Sequence, residues 1–565
     1  MMFLGPWCLL YRDRHLWQSL DYEVMASPWR DRHAYYEAGK YTYVTYHYLL
    51  DRLTDYLNKV HGAHHQKRFW QIIVGPWLLH FTEAFYDRYY CLKEAFKKYQ
   101  SFNTYLLSES CHVTPQDTME FIQLTVDDYY NLQLYSQLLD FWGIVSPTKT
   151  LVINGKPLQP RSIKSVIKEG LQTASLSLSS KSRLVFWDIY LPRKCFLPYM
   201  LASNLSALPV ISSNGPKPEY PVKKGEERLG LAHLPAKDEF TSFLAKSLPV
   251  NFPTLYLEGY ADFLERNLAS CGTAPQILMT ATGWLFNERL KFLAASWSEK
   301  GVKLCGCQHG GLYGTAKWFP PEKHEVEIAD CFYTWGWHAP GQDSVKPLAN
   351  PKISRLAGKR KNRIRPPKDF LFVATSHPRY LYRFFSTPVA EMFEEYLSWR
   401  NSFLRALSPD NLRHILIRLL PEDYGRDQKA RLADEFPDLR YDNCKIGFLK
   451  RLEKTRITII DHPVTTMLES LSRNIPTILF WDPRYWELRK EARPFFEKLA
   501  EAEIWHHNPT SAGQLLNRIS RDPGSWWDNP KTQTARTIFV NRFALADRHW
   551  AKNWWQEMRS LLKHS

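Results

Sequence analysis

The sequence predicts an α/β protein built from two Rossmann-like domains that face each other across a cleft, with a helical insertion near the N-terminus. Three observations predict it. Short apolar runs recur and end in polar loops, as where Ile457–Ile460 runs into Asp461-His462-Pro463. Stretches with apolar spacing of three and four residues separate those runs. A strip of Lys and Arg, RLAGKRKNRIRPPK at 355–368, divides the chain into two halves with the same grammar. At 565 residues the chain is too long for a single core. The expected division is an α/β domain over 1–354 with the helical insertion at about 30–145, a basic linker over 355–368, and a second α/β domain over 369–565 ending in a helical tail.

Phe3-Leu4-Gly5-Pro6 reads as a strand running into a turn, so the chain begins almost inside its first element, as it would if its natural N-terminus were longer. Helical stretches follow at Tyr36 to Val60, Phe69 to Tyr99 and Pro115 to Trp142. Gly75-Pro76 is expected to interrupt the second with a kink or a break, because proline lacks an N–H and crowds the preceding turn. The many Tyr and Trp here read as helix–helix core. Leu151 to Ile153 and Arg183 to Tyr190 are expected strands, followed by a helix near Pro192 to Ser203, a loop over 208–237 and a helix at Glu239 to Asn267. The first sheet continues with Ile277 to Thr280, Val302 to Cys307 and Cys331 to Trp335. The second takes Asp369 to Ala374, His414 to Leu420, Leu439 to Tyr441, Ile457 to Ile460 and Thr477 to Phe480, and the tail from Pro494 reads as short helices.

A formal net charge of +16 favours anionic partners: nucleotides, polyanionic glycans, an acidic membrane or nucleic acid. An apolar share of 44% excludes a disordered chain. The nine cysteines are scattered, and Cys305-Gly306-Cys307 has no second pair, so no disulfide framework is expected and the compartment reads as a reducing cytosol. No run reaches about 18 apolar residues, so no transmembrane helix is expected. No signal peptide is expected either. The absence of G-x-x-x-x-G-K-[ST] and G-x-G-x-x-G loops removes the main support for a P-loop ATPase or a dinucleotide enzyme. No motif assigns a metal ligand, and no cofactor is expected.

Strand ends of a parallel sheet gather along one edge, where ligands meet helix N-termini. In the second half the loops there carry His377, Pro378, Arg418, Arg426, Thr465 and Thr466. Hydroxyls and free backbone N–H groups suit a phosphate, and Glu469, one helical turn on, suits ribose hydroxyls. His377, Arg379, Arg418 and Arg426 are candidates to neutralise a leaving phosphate without a metal. An ordinary capped helix accounts for the same turn, since Thr466-x-x-Glu469 is a capping box. In the first half the matching loops offer Gly283 and Gln308-His309-Gly310-Gly311 as substrate contacts, the glycines admitting close backbone approach. His309 is the candidate general base. Asp188 and Glu258 are candidate bases or nucleophiles, equally readable as paired structural carboxylates. Two such sheets facing across a cleft make a GT-B-like architecture, with donor nucleotide on the second domain and acceptor on the first.

LGPWCLLY at 4–11, GCQHGGLYG at 306–314, EIADCFYTWGW at 327–337, RLLPEDYGRDQ at 418–428 and TTMLESLSRNIPTILFWDP at 465–483 resemble a bacterial family of transferases associated with O-antigen and related surface-polysaccharide gene clusters. A looser similarity links the chain to GT-B-like transferases of CMP-activated sugars, the β-Kdo and sialyl transferases. Those carry His-Pro and Ser/Thr motifs at the nucleotide phosphate; His377-Pro378 and Thr465-Thr466 look like them, and His462-Pro463 is a second such pair. The resemblance implies a metal-independent glycosyltransferase with a nucleotide-sugar donor, CMP-ulosonate being one, and a glycan or lipid-linked glycan acceptor. Its place would be cytoplasmic, with peripheral contact to an anionic membrane and no nucleic acid partner. Two other readings stay open: a nucleotide-sugar epimerase or hydrolase, and a non-enzymatic basic protein binding nucleic acid or anionic membrane.

Overall fold

The computed structural model describes residues 1–99, 103–151, 183–189, 193–204, 206–210, 218–355 and 368–563. Two short pairs, β1 (Met2–Phe3) with β2 (Glu23–Val24) and β3 (Leu106–Leu107) with β4 (Thr148–Lys149), accompany two six-stranded sheets. The first comprises β5 (Leu184–Trp187), β6 (Ala207–Val210), β7 (Ile277–Thr280), β8 (Lys303–Cys307), β9 (Cys331–Thr334) and β10 (Val345–Pro347), in the order β10-β9-β8-β7-β5-β6. The second comprises β11 (Phe370–Val373), β12 (Ile415–Arg418), β13 (Arg440–Tyr441), β14 (Ile457–Ile460), β15 (Thr477–Phe480) and β16 (Trp505–His506), in the order β13-β12-β11-β14-β15-β16. Every pairing in both is parallel. The order in which strands are added reverses between β5 and β7 in one sheet and between β11 and β14 in the other. Each reversal opens a crevice at the carboxyl ends of the strands, where ligands of such folds bind.

Both sheets are buried on both faces, as all-parallel sheets require. Leu184 and Phe186 join one apolar cluster, while Val185 and Trp187 join another on the opposite face. Phe370 and Phe372 are divided from Leu371 and Val373 in the same way. The cluster holding Leu371 and Val373 also contains Tyr313, Phe332, Trp335 and Trp337 of the first half, so one apolar core runs through the junction of the two domains. β6, β10 and β16 add to the expected strands. All three are edge strands, and β10 and β16 have only three and two residues, too few for alternation to register. The expected strand at Leu151–Ile153 lies, beyond Leu151, outside the described residues, as do linker residues 356–367.

The helical insertion contains Arg32–His61, Lys67–Lys98, Thr118–Leu124 and Asp128–Phe141. Asp31 starts the first by accepting from the N–H groups of His33 and Ala34, and left-handed Gly62 ends it. The second is not broken at Pro76 but runs through it as one helix. Residues Phe69 to Phe85 along it are all buried, and that packing outweighs the roughly 3 kcal/mol an interior proline costs. The last helix, Trp550–Lys563, does not stay with the second domain. Trp550, Trp554, Met558 and Leu562 pack with Leu184, Phe186 and Tyr199, and Trp554 Nε1 donates to the Ala349 carbonyl at 2.8 Å. The tail expected to end the second domain thus covers the first sheet.

Candidate functional site

β8 delivers Gln308, His309, Gly310 and Gly311 to the carboxyl edge of the first sheet. Gln308 is a brace. Its Oε1 accepts from Trp335 N and Trp337 Nε1, both at 2.8 Å, and its Nε2 donates to the Gly310 carbonyl at 2.8 Å. His309 turns back onto the helix Pro320–Ile328, where its Nε2 lies 3.0 Å from Glu325 Oε1 and 2.6 Å from the Tyr313 hydroxyl. Tyr313 also donates to both Glu325 oxygens, at 2.9 and 3.0 Å. The Glu325 side chain is fully buried while that of His309 is 15% exposed. Burial raises the Glu325 carboxyl above its ordinary value, with His309 and Tyr313 pulling it back. With Glu325 ionised its oxygens only accept, and the tautomer with the proton on Nε2 leaves the Nδ1 lone pair open. Among the described residues Nδ1 has no hydrogen-bond partner. A histidine oriented by a buried carboxylate, with its second nitrogen open, is the arrangement a general base needs.

On the second sheet β14 ends in Asp461, and the helix Thr465–Ser472 follows. Its N-cap is Val464 and no side chain caps it, so the expected capping box of Thr466 and Glu469 does not form. The first turn keeps backbone N–H groups that an anion can take. Behind the turn lies a relay: the Tyr396 hydroxyl donates to Asp461 Oδ2 at 2.8 Å, Asp461 Oδ1 lies 2.8 Å from His462 Nδ1, and His462 Nε2 lies 3.2 Å from Thr466 Oγ1. Glu469 is buried, and its partner is Lys352, from the end of the first half. Burial raises the Glu469 carboxyl, and Lys352 partly offsets this.

The two edges meet. A Cβ on Gly311 would lie 2.4 Å from the Val464 carbonyl carbon and 2.6 Å from Thr465 N. Only glycine lets the His309 loop touch the start of the Thr465–Ser472 helix. The structure therefore brings His309, Gly310, Gly311, Thr465 and Thr466 into one junction.

Most of the other expected residues have structural partners. Glu258 forms a two-pronged ion pair with Arg228, both contacts 2.6 Å, with each side chain under 5% exposed. Its oxygens are committed, in the helical layer rather than at a strand end. Asp188 does sit at the end of β5, with φ of 48°, and accepts from Asn287 Nδ2 at 2.7 Å. Gly283 opens a short helix where a Cβ would meet Leu290 Cδ1 at 2.5 Å, so close packing requires it. Arg418 pairs with Asp442 at the far side of the second sheet. Arg426 donates to the carbonyls of His377 and Pro378, both at 3.1 Å, and so clamps their loop. Burial brings Arg426 down to about 9. His377 is also pushed down, by burial first and then by Arg383 and Arg426, and its buried Nε2 has no partner among the described residues. Glu325, Tyr313, Asp461 and Tyr396 complete the junction without having been candidates. Each acts through a contact between elements, and no spacing in the sequence signals it. His462 alone had a signal, its His-Pro pair. Among the described residues no group of His, Cys, Asp and Glu could hold a metal ion, and no helix is long and apolar enough to cross a membrane.

A family model of the LIC12162 family transferases matches residues 1–558, and the chain belongs to that family. No curated protein matches it. Solved structures similar to it include a variant of S. aureus TarM in complex with fondaparinux, alpha-GlcNAc-glycerol and UDP, at 9% identity and TM-score 0.32, covering 50% of this chain and 55% of that one. The wall teichoic acid polymerase TagF matches at 10% identity and TM-score 0.35, over 71% of this chain and 97% of that one. A UDP-forming alpha,alpha-trehalose-phosphate synthase from Burkholderia xenovorans matches at 11% and 0.37, over 67% and 99%.

Proposed function

We propose that this transferase is a glycosyltransferase that moves a sugar from a nucleotide-activated donor to a glycan or lipid-linked glycan acceptor of a surface polysaccharide. The observation that carries the proposal is the contact of Gly311 with Val464 and Thr465, which sets the His309–Glu325 pair beside an uncapped helix start. The donor phosphate takes the N–H groups and hydroxyls of Thr465 and Thr466. His309 Nδ1 removes the proton of an acceptor hydroxyl. The acceptor oxygen then bonds to the anomeric carbon as the carbon–oxygen bond to phosphate breaks, and the nucleotide leaves with its charge held by the helix. The acceptor lies along the first sheet's edge, near Asp188 and Gly310. A CMP-activated ulosonate is the first donor to try, on the likeness of His377-Pro378 and Thr465-Thr466 to the motifs of CMP-sugar transferases. Work on lipid-linked acceptors would bring the protein to the inner face of the cytoplasmic membrane.

The test is a panel of CMP, CDP, UDP and GDP ligands read by thermal shift, followed by product analysis with the sugar donor of the base that binds. Transfer that needs acceptor and is lost in His309→Gln supports the reading. Donor consumption without acceptor would make the protein a hydrolase or epimerase, and no shift with any nucleotide would sink the proposal.

A further inference from the structure

Three cysteines share one face of the first sheet. Cys305 and Cys307 on β8 and Cys331 on β9 join one apolar cluster with the helix Trp550–Lys563, while Leu304 and Phe332 between them face the other way. All three are free thiols. Cys305 and Cys331 are also register partners in the parallel ladder, whereas Cys307 stands opposite Tyr333. Neighbouring strands run about 4.8 Å apart, inside the span of about 4.4–6.8 Å between the Cα atoms of a disulfide. Cys305 and Cys331 are therefore placed to join with little movement.

The two thiols differ in their surroundings. Cys305 is fully buried, and Cys331 is 9% exposed. Tyr333, two residues beyond Cys331 on the same face, has Lys346 of β10 as its register partner. The Tyr333 hydroxyl and Lys346 Nζ both donate to Glu557 Oε1, at 3.0 and 3.1 Å, so the ammonium lies on the face that holds the thiols. The side chains of Lys346 and Glu557 are 42% and 27% exposed, so that side of the cluster meets solvent. The Cys331 thiol is held below its ordinary value, first by a hydrogen bond with Cys305, with Lys346 adding to it against the cost of burial, while Cys305 is raised. Such a pairing gives one thiolate that reacts and one thiol that keeps its proton.

We propose that Cys331 is a modification site for hydroperoxides, with Cys305 as its resolving thiol. The Cys331 thiolate attacks one oxygen of hydrogen peroxide, the O–O bond breaks and hydroxide leaves, giving a sulfenic acid. The Cys305 sulfur then attacks the Cys331 sulfur. The S–O bond breaks, and the departing hydroxide takes the Cys305 proton and leaves as water. Two sulfurs are oxidised to a disulfide and the peroxide is reduced to water; a dithiol reverses the bridge by exchange. This chemistry does not rest on the glycosyltransferase reading, whereas its effect on transfer does. Disulfide-bonded Cβ atoms stand about 3.8 Å apart, so the bridge draws β8 and β9 together by about 1 Å. Those strands lead to His309 and to Trp335 and Trp337, which hold Gln308, and a shift of that size at a positioned base lowers turnover.

The experiment treats the full chain with hydrogen peroxide, blocks the remaining thiols and maps peptides by mass spectrometry. Trypsin separates the pair, with Cys305 on 304–317 and Cys331 on 324–352. A bridge between these peptides is expected in the folded wild type and in Cys307→Ser, and dithiothreitol should remove it. In Cys305→Ser the bridge should give way to a sulfenic acid on Cys331 that a cyclic dione traps. Transfer is expected to fall about tenfold or more on oxidation and to recover with dithiothreitol, with no such fall in Cys305→Ser relative to its own untreated rate. A bridge that leaves transfer unchanged would remove the link to the His309 loop. No transfer by untreated protein would sink the glycosyltransferase reading and leave the bridge standing. No bridge in folded wild type at peroxide concentrations that oxidise other cysteines, or a bridge through Cys307, would overturn the assignment, and the wild-type map decides this even if a variant fails to fold.

Discussion

The two strand-end loops that touch at Gly311 are built by opposite means. The His309 loop is braced from behind: Gln308 ties it to Trp335 and Trp337, and the buried Glu325 fixes the imidazole. The Thr465 turn is left open at the front. Its helix has no side-chain cap, and both threonines are half-buried. One side offers a single oriented titratable group, the other a set of unspent donors. Rigid positioning suits proton transfer, which tolerates little error, whereas open N–H groups suit a phosphate that arrives with its own charge. The proposed chemistry is thus divided between the domains, and substitutions on the two sides should part rate from affinity.

The sharpest way to break that division is His309→Gln. Its expected effect is a fall in kcat of between about 100-fold and about 10,000-fold, with donor affinity within about twofold of wild type, measured by initial rates and calorimetry. A matching loss of donor affinity would mean that the two sides are not separable. Gly311→Ala attacks the junction itself, since its Cβ would lie 2.4 Å from Val464. We expect a loss of about 1–3 kcal/mol in stability, seen in denaturant midpoints, and a fall in transfer larger than the fall in donor binding. On the open side, Thr466→Val should weaken nucleotide binding about tenfold, or ~1.4 kcal/mol, while leaving the turnover of bound donor nearly intact. Thr466→Ser should restore it.

The smallest effect concerns Glu83, buried on the helix Lys67–Lys98. Burial raises the Glu83 carboxyl well above 4.5, so the folded protein takes up its proton at a higher pH than the unfolded chain. Its contribution to stability is full below pH 4.5 and is lost as pH rises through the folded value. Glu83→Gln removes that loss. The Tm of the variant relative to wild type should therefore climb between pH 5 and pH 8, and a constant difference would show that Glu83 is ionised in the fold.

Much of this organisation is legible in the residues themselves. Ile457–Ile460 and Val302–Cys307 announce strands by composition, and the polar or glycine-rich loops after them announce an edge. His309, Gly311, Thr465 and Thr466 follow from position alone. What is not legible is which side chains are already spent. Arg426 and Arg383 look alike in sequence, yet among the described residues one is consumed by two carbonyls and the other meets only the rings of Tyr382 and Phe385. Glu258 reads like a catalytic carboxylate until Arg228 is seen across it, 30 residues away. Glu325 is hidden for the converse reason: it reaches His309 only because the helix Pro320–Ile328 folds back beside β8. Pro76 misleads because local propensity is a weaker term than the burial around it.

The most direct test is a crystal structure of the protein with the nucleotide selected by the ligand panel. We expect the phosphate within hydrogen-bond distance of the Thr465 and Thr466 backbone N–H groups, with His309 Nδ1 facing the sugar side. A nucleotide seated at the first sheet's edge beside Asp188, with the Thr465–Ser472 helix start empty, would contradict the assignment of donor and base to the two sides of Gly311.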